Sequence, residues 1–126
     1  MTRNILEQAY AAETEFLALL ADLVAHESPS SEVTALNALA DRLQALLEER
    51  GFATSRHARE GAGDIVEGRL TGGSGPSTLF LCHYDTVWPL GTLAAMPWRR
   101  DGDKVYGPGV LDMKAGIANA LTAVEL

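Results

Sequence analysis

The stretch that most constrains the fold of this chain is the apolar run at residues 78–82, whose sequence is TLFLC. A continuous apolar run of this length is typical of a strand that is buried on both faces of a sheet. A glycine-rich loop precedes the run at residues 72–76, and His83, Tyr84 and Asp85 follow it. The run therefore predicts a helix-covered sheet with polar side chains at the end of one strand.

The spacing of apolar residues elsewhere predicts helices before the strands and one helix after them. Gly51 would end the second helix as a left-handed cap. The predicted elements are, in order, a helix over residues 4–26, a helix with its apolar stripe between Val33 and Leu47, strands at 52–57, 64–71 and 78–82, a loop over 86–104, and a helix from Met113 to Leu126. This order indicates an α/β domain with a mixed sheet covered by helices.

The composition excludes several classes of protein. The chain has 126 residues, 47% of them hydrophobic and 21% charged, which are ordinary values for a globular domain. The formal net charge of −7 would repel a phosphate backbone, so no nucleic-acid partner is expected. The single cysteine excludes both an internal disulfide and a Cys-rich metal site. No apolar run is long enough to span a membrane and no signal peptide is evident, so a cytoplasmic protein is expected.

The first candidate site follows the predicted strand at residues 78–82. His83 and Asp85 are two residues apart, so in extended chain both side chains would point to the same side. Ligands collect at the carboxyl ends of strands in open α/β sheets. His83 would then bind a metal while Asp85 fixes the orientation of its imidazole. A purely local hydrogen bond between the two side chains explains these residues about equally well.

The second candidate is Asp112, at the start of the last predicted helix. Helix capping is the ordinary role of an aspartate there and is favoured when this residue is considered alone. The preceding glycines, Gly107 and Gly109, have the spacing of a dinucleotide-binding loop. A carboxylate at the position of Asp112 would repel a pyrophosphate, however, and the same charge favours a cation.

Four further polar residues are given structural roles. Cys82 is expected to point away from His83 and to pack in the core. Lys114 is expected to face solvent. His26 is expected to interact with the end of the first helix, and His57 to lie on the surface.

Two motifs together resemble one family of enzymes. Residues 83–87 read HYDTV and residues 106–116 read YGPGVLDMKAG, with His83 and Asp112 separated by 29 positions. Both motifs and their spacing resemble the zinc-dependent amide hydrolases that include glutamate carboxypeptidase, acetylornithine deacetylase, succinyl-diaminopimelate desuccinylase and aminoacylase. The resemblance covers essentially the whole chain. It is nearest to the glutamate carboxypeptidase branch through residues 85–93 and through Pro108, which stands where other branches have arginine.

The resemblance implies a role for each matching residue. His83 would be a ligand of one zinc ion, Asp112 would bridge two zinc ions, and Asp85 would be the catalytic-site carboxylate that orients His83. Cobalt could substitute for zinc. A cis peptide bond is expected between Asp112 and Met113. If His83 and Asp112 bind one ion, a ring nitrogen and a carboxylate oxygen should lie roughly 3–3.5 Å apart.

The resemblance also implies what residues 1–126 represent. They would form the N-terminal part of a layered α/β/α zinc-exopeptidase-like catalytic domain, without the dimerisation or lid domain and without the C-terminal part of the catalytic domain. The adjacent glutamates that the family uses as general base and metal ligand are not found between Asp112 and Leu126. The chain alone is therefore expected to be inactive, and a homodimer is expected only for the full-length protein.

The implied reaction is hydrolysis of a peptide or N-acyl amide bond next to a carboxylate. The substrate would be a small peptide or an N-acyl amino acid. In the complete site, two zinc ions would activate a water molecule and a glutamate would accept its proton. Two alternatives remain open: a non-catalytic binding or scaffold remnant of the same fold, and a nucleotide-binding protein that uses the loop at Gly107.

Overall fold

The computed structural model describes residues 4–126, which form five α-helices, four short strands and one kinked helical turn. In chain order these elements are α1 (Ile5–Ala11), α2 (Glu13–Ala25), α3 (Val33–Glu49), β1 (Ala53–His57), β2 (Ile65–Arg69), α4 (Thr92–Ala95), β3 (Arg99–Asp101), β4 (Lys104–Tyr106), the kinked turn Val110–Lys114, and α5 (Ala115–Glu125). The α/β class predicted from the sequence is confirmed.

The core lies between α2, α3 and α5. Each helix contributes the apolar stripe that its sequence spacing predicts. Burying one leucine side chain stabilises the fold by about 1.5–3 kcal/mol, so a few such residues account for much of the stability of this layer. The residues at its centre are Leu20, Leu23, Leu39 and Ala118, all at most 1% exposed.

The helix predicted over residues 4–26 is divided at Ala12. Asn4 caps α1 by accepting a hydrogen bond from the backbone N–H of Leu6 at 3.1 Å, as asparagine commonly does at a helix start. No side chain of α1 is buried, whereas α2 buries four. The break therefore separates a helix that packs in the core from one that lies on the surface.

The first two predicted strands form one antiparallel hairpin. β1 pairs with β2, with Ala53 opposite Arg69 and His57 opposite Ile65. Gly51 ends α3 with a φ of +82°, which confirms the predicted left-handed cap.

The predicted loop at residues 86–104 contains regular structure, so that prediction is wrong in part. It includes α4 and the first strand of the hairpin formed by β3 and β4. Gly102, with a φ of +60°, and Asp103 form the two-residue turn between these strands. Glycine followed by a polar residue is a known hairpin signal, but the strands are too short to show a period of their own.

The strand predicted at residues 78–82 does not form. Among the described residues, this segment has no strand beside it, and a strand exists only through hydrogen bonds to a neighbour. Its side chains are exposed, with Leu79 at 84% and Leu81 at 88%. Cys82 is exposed as well, so its predicted place in the core is wrong. The described part of the chain holds two separate two-stranded antiparallel sheets and one isolated parallel bridge between Pro29 and Thr86.

Within residues 4–126, no helix has the combination of length and apolar character that crossing a membrane requires.

Candidate metal centre

The segment that carries His83 and Asp85 is held by the connection between α2 and α3. Thr86 donates its backbone N–H to the carbonyl oxygen of Ser28 at 2.8 Å, and Ser30 donates its backbone N–H to the carbonyl oxygen of Thr86 at 3.1 Å. The buried Ser28 hydroxyl donates to the carbonyl oxygen of Tyr84 at 2.7 Å. Backbone hydrogen bonds to residues far away in the sequence therefore position this segment without a sheet around it.

The chain before Asp112 passes very close to the same segment. Gly109 has a φ of +73°, and a β-carbon at this position would lie 2.6 Å from Cγ2 of Thr86. Glycine is required here both by the left-handed backbone and by the lack of space. The peptide bond between Asp112 and Met113 is cis, as the resemblance implied. The regular helix α5 begins at Ala115 and its cap residue is Lys114, so Asp112 does not cap it.

These two segments bring His83, Asp85 and Asp112 together. The Nε2 atom of His83 lies 2.9 Å from Oδ1 of Asp112, and its Nδ1 atom lies 3.1 Å from Oδ1 of Asp85. The first distance is slightly shorter than the 3–3.5 Å expected for two donors on one ion, and it is that of a direct hydrogen bond. One imidazole thus stands between two carboxylates.

The electrostatics of the site follow from these contacts. Partial burial lowers the pKa of His83, but its hydrogen bonds and charge interactions with Asp112 and Asp85 outweigh burial, so the pKa is raised above its usual value. The hydrogen bond from Ser30, followed by the interaction with His83, lowers the pKa of Asp85 despite some burial. Asp85 is therefore held in its ionised form.

Lys114 does not face solvent, so that prediction is wrong. Its side chain is 1% exposed, and its Nζ atom donates to the carbonyl oxygen of His26 at 2.6 Å. Burial lowers the pKa of Lys114 to about 8, although the negative charge of Glu27 acts in the opposite direction. The contact ties the turn that carries Asp112 to the end of α2.

Glu27, like Lys114, makes contacts that the sequence did not predict. It accepts backbone hydrogen bonds from Gly91 at 3.0 Å and from Leu93 at 2.8 Å. These hydrogen bonds, that of Leu93 first, lower the pKa of Glu27. Only the folded chain brings Glu27 beside residues 91–93, so no local pattern could have identified it.

The remaining two histidines lie outside the site. His26 ends α2, and its Nδ1 atom lies 2.9 Å from the carbonyl oxygen of Asp22, in keeping with the expected role at a helix end. His57 is exposed on β1, where its Nε2 atom lies 3.1 Å from Oε2 of Glu67.

The site opens into a cavity of about 320 Å³. Its lining includes the polar residues His83, Asp85 and Asp112 and the apolar residues Trp88 and Leu111. The side chain of Asp112 is 80% exposed and that of His83 is 49% exposed. A small molecule or ion can therefore reach both groups.

The donor atoms fit part of a metal site. An imidazole nitrogen and a carboxylate oxygen are typical zinc ligands, and an aspartate on the second ring nitrogen is the usual partner of a metal-binding histidine. In the part of the chain that the structure describes, no group of three or more His, Cys, Asp or Glu side chains could hold a metal ion. A catalytic zinc ion usually has three protein ligands, so these residues supply an incomplete set.

Comparison with known proteins finds relatives that agree with the family resemblance of the two motifs. Residues 79–126 match the model of peptidase family M20/M25/M40. The chain is 36% identical over 126 residues to carboxypeptidase G2 of Pseudomonas sp. (strain RS-16), an alignment that covers 98% of this chain and 30% of that protein. It is 36% identical over 119 residues to succinyl-diaminopimelate desuccinylase of Rhodospirillum centenum, covering 86% of this chain and 29% of that protein.

A third relative, succinyl-diaminopimelate desuccinylase of Rhodopseudomonas palustris, is 37% identical over 92 residues, covering 64% of this chain and 23% of that protein. The chain thus spans less than a third of the length of these curated relatives. The resemblance inferred from the two motifs is confirmed: the chain is similar to part of the hydrolases of peptidase family M20/M25/M40.

Proposed function

We propose that this chain supplies part of a zinc-dependent site that hydrolyses a peptide or N-acyl amide bond. The observation that carries the proposal is the 2.9 Å separation between Nε2 of His83 and Oδ1 of Asp112. Two donors bound to one zinc ion lie roughly 3–3.5 Å apart, so a small movement would let both reach the same ion. In this proposal, residues 1–126 form the N-terminal part of a layered α/β/α catalytic domain.

His83 and Asp112 are the proposed metal ligands, and Asp85 is the proposed orienting carboxylate. When bound, zinc, or cobalt in its place, would provide a Lewis acid for the amide carbonyl. In this role Asp85 accepts a hydrogen bond from the N–H at Nδ1, which leaves the lone pair of Nε2 free for a cation. The charges of Asp85 and Asp112 favour a divalent cation at this point over an anionic ligand.

The proposed substrate is a small peptide or an N-acyl amino acid with a carboxylate near the cleaved bond. The names of two relatives, a carboxypeptidase and a desuccinylase, support this class. Trp88 and Leu111, which also line the cavity, offer apolar contact area for the remainder of such a molecule. For the full-length protein we also propose a homodimer located in the cytoplasm.

A zinc titration of the metal-free chain tests the proposed ligands. We expect weak binding to the 126-residue chain, because it offers two of the usual three protein ligands. His83→Gln and Asp112→Asn should each weaken binding by at least about tenfold. His57→Gln is the matched control, since His57 also lies beside a carboxylate on the surface. Equal affinity in all four proteins would overturn the assignment of His83 and Asp112.

An amidase assay tests the reaction itself. We expect no turnover from the 126-residue chain, and chelator-sensitive hydrolysis from a longer natural form that includes adjacent glutamates. Zinc binding without hydrolysis in that longer form would favour the non-catalytic alternative. Hydrolysis that survives complete removal of metal would contradict the proposed mechanism.

A further inference from the structure

The carboxylate of Asp85 is held through both of its oxygens. Oδ1 lies 3.1 Å from Nδ1 of His83, and Oδ2 accepts a hydrogen bond from the hydroxyl of Ser30 at 2.5 Å. A carboxylate held at only one oxygen can rotate and exchange its partner for water. The second contact restricts this rotation, so Ser30 determines how steadily Asp85 faces His83.

Ser30 is itself fixed, although its side chain is exposed. Its backbone N–H donates to the carbonyl oxygen of Thr86, and the neighbouring Pro29 is buried and bridged to the same residue. The Ser30 hydroxyl also lies 3.3 Å from the carbonyl oxygen of Thr86. The carboxylate oxygen of Asp85 is both nearer and charged, so it is the preferred acceptor of the single hydroxyl proton.

Both ring nitrogens of His83 face acceptors that compete for one proton. Nδ1 lies 3.1 Å from Oδ1 and 3.2 Å from the backbone carbonyl oxygen of Asp85, whereas Nε2 lies 2.9 Å from Oδ1 of Asp112. A neutral imidazole carries a single N–H, which can point either to Asp85 through Nδ1 or to Asp112 through Nε2. The side chain of Asp112 is 80% exposed, whereas that of Asp85 is 40% exposed and held by Ser30. Water competes less for the better shielded acceptor, so the arrangement favours the proton on Nδ1.

We infer that Ser30 is a positioning residue of this site. Its hydroxyl fixes the carboxylate of Asp85, which keeps the proton of His83 on Nδ1 when the imidazole is neutral. Nε2 then donates no hydrogen bond to Asp112, and its lone pair is available to a cation on that side. The value of this lone pair for binding a cation rests on the proposed function. The hydrogen-bond arrangement does not, because it exists in the chain without metal.

The tautomer of His83 can be measured in the metal-free chain by long-range ¹H–¹⁵N correlation spectra of ¹⁵N-labelled histidine. The spectra are recorded at a pH at which the imidazole is neutral. Loss of one signal in His83→Gln assigns the residue among the three histidines. We expect the Nδ1–H form to predominate in the unaltered chain. In Ser30→Ala the ratio of the two tautomers should shift toward Nε2–H by about twofold to tenfold, as expected for the loss of one hydrogen bond.

Two variants distinguish positioning from a general structural effect. Ser30→Thr keeps the hydroxyl and should retain the tautomer ratio of the unaltered chain. Ser31→Ala removes the hydroxyl of the neighbouring exposed serine and should leave the ratio unchanged. If Ser30→Ala does not fold, Ser30→Cys replaces it, because the thiol is a weaker donor of similar size. An unchanged ratio in a folded Ser30→Ala or Ser30→Cys, or a predominant Nε2–H form in the unaltered chain, would overturn the inference.

Zinc affinity provides a second measurement. Ser30→Ala should weaken zinc binding by about twofold to tenfold, less than the loss of a direct partner of the ligand. Absence of zinc binding in the unaltered chain would contradict the proposed function, while the tautomer ratio would still test the role of Ser30. Conversely, zinc binding with no change of tautomer in Ser30→Ala would contradict the role of Ser30 alone.

Discussion

The helical core and the segment that carries His83 are held in place by different interactions. In the core, Leu23 and Leu39 are completely buried, and the free energy of folding comes from apolar area removed from water. In the segment at residues 79–87, Leu81 is 88% exposed and Val87 is 89% exposed. Hydrogen bonds from residues 28–30 position that segment instead. The helical layer and the placement of His83 therefore depend mainly on different kinds of interaction, although Lys114 joins the two.

The largest effect should follow from a cavity in the core. Leu39→Ala removes a fully buried side chain between the helices and should lower the free energy of unfolding by about 2–5 kcal/mol. Urea denaturation followed by circular dichroism measures this change. A loss below about 1 kcal/mol would show that the helices do not form the stabilising part of the chain.

The second largest loss of stability should follow from a substitution at the contact between the two segments of the site. Gly109→Ala places a β-carbon 2.6 Å from Cγ2 of Thr86 and should cost about 1–3 kcal/mol through overpacking, in addition to the cost of a left-handed alanine. It should also separate Asp112 from His83 and weaken zinc binding.

Gly61→Ala is the matched control for this substitution. Gly61 has a φ of +71° but nothing within 4 Å of the added carbon, so it reports the backbone cost alone. Equal destabilisation by the two substitutions, measured in urea, would mean that Gly109 is not closely packed against Thr86.

Lys114 links the core to the site and should make stability depend on pH. Its pKa in the folded chain is about 8, below the 10.5 of an unperturbed lysine. Between these values the unfolded chain binds more protons than the folded chain, so stability rises as pH increases from about 8 to 10.5. The rise should be at most about 3 kcal/mol, because each unit of difference between the folded and unfolded pKa corresponds to about 1.4 kcal/mol.

The contribution of Lys114 is isolated by comparing substitutions of the two lysines. Stability in chelator is measured across this pH range for the unaltered chain, Lys114→Met and Lys104→Met. The rise should disappear in Lys114→Met and persist in Lys104→Met, since Lys104 is exposed. A rise that persists in Lys114→Met would show that another group causes it.

The smallest effect should come from the exposed apolar segment. Leu81→Ala should change the free energy of unfolding by no more than about 0.5 kcal/mol, because the side chain contributes little buried area. The same urea measurement that serves for Leu39→Ala allows a direct comparison. A loss similar to that of Leu39→Ala would mean that Leu81 is buried in solution, and the contrast between the two regions would fail.

The sequence predicted those elements that depend on local spacing. The structure confirms three such predictions: the apolar stripe of α3, the end of this helix at Gly51, and the two strands of the first hairpin. Each depends on residues that are close together in the sequence. The strand expected at residues 78–82 failed because strand formation needs a partner as well as an apolar sequence. Cys82 was misplaced for the same reason.

The candidate site was predicted in part. His83, Asp85 and Asp112 lie together as the motifs implied, while their roles in metal binding remain a prediction. Lys114 was misjudged because a lysine is seldom buried and no local pattern indicates that the carbonyl oxygen of His26 receives it. Ser30 could not be recognised as a partner of Asp85 either, since they are 55 positions apart in the sequence.

The contacts of Ser28, Ser30 and Lys114 all join the first half of the chain to the second. The covalent link between these halves runs through the exposed, glycine-rich loop at residues 72–75. Cleaving the backbone in that loop would break no hydrogen bond that surrounds His83. The two resulting pieces would then recognise each other through the same contacts, and the geometry of His83 and Asp112 would report whether they had reassembled.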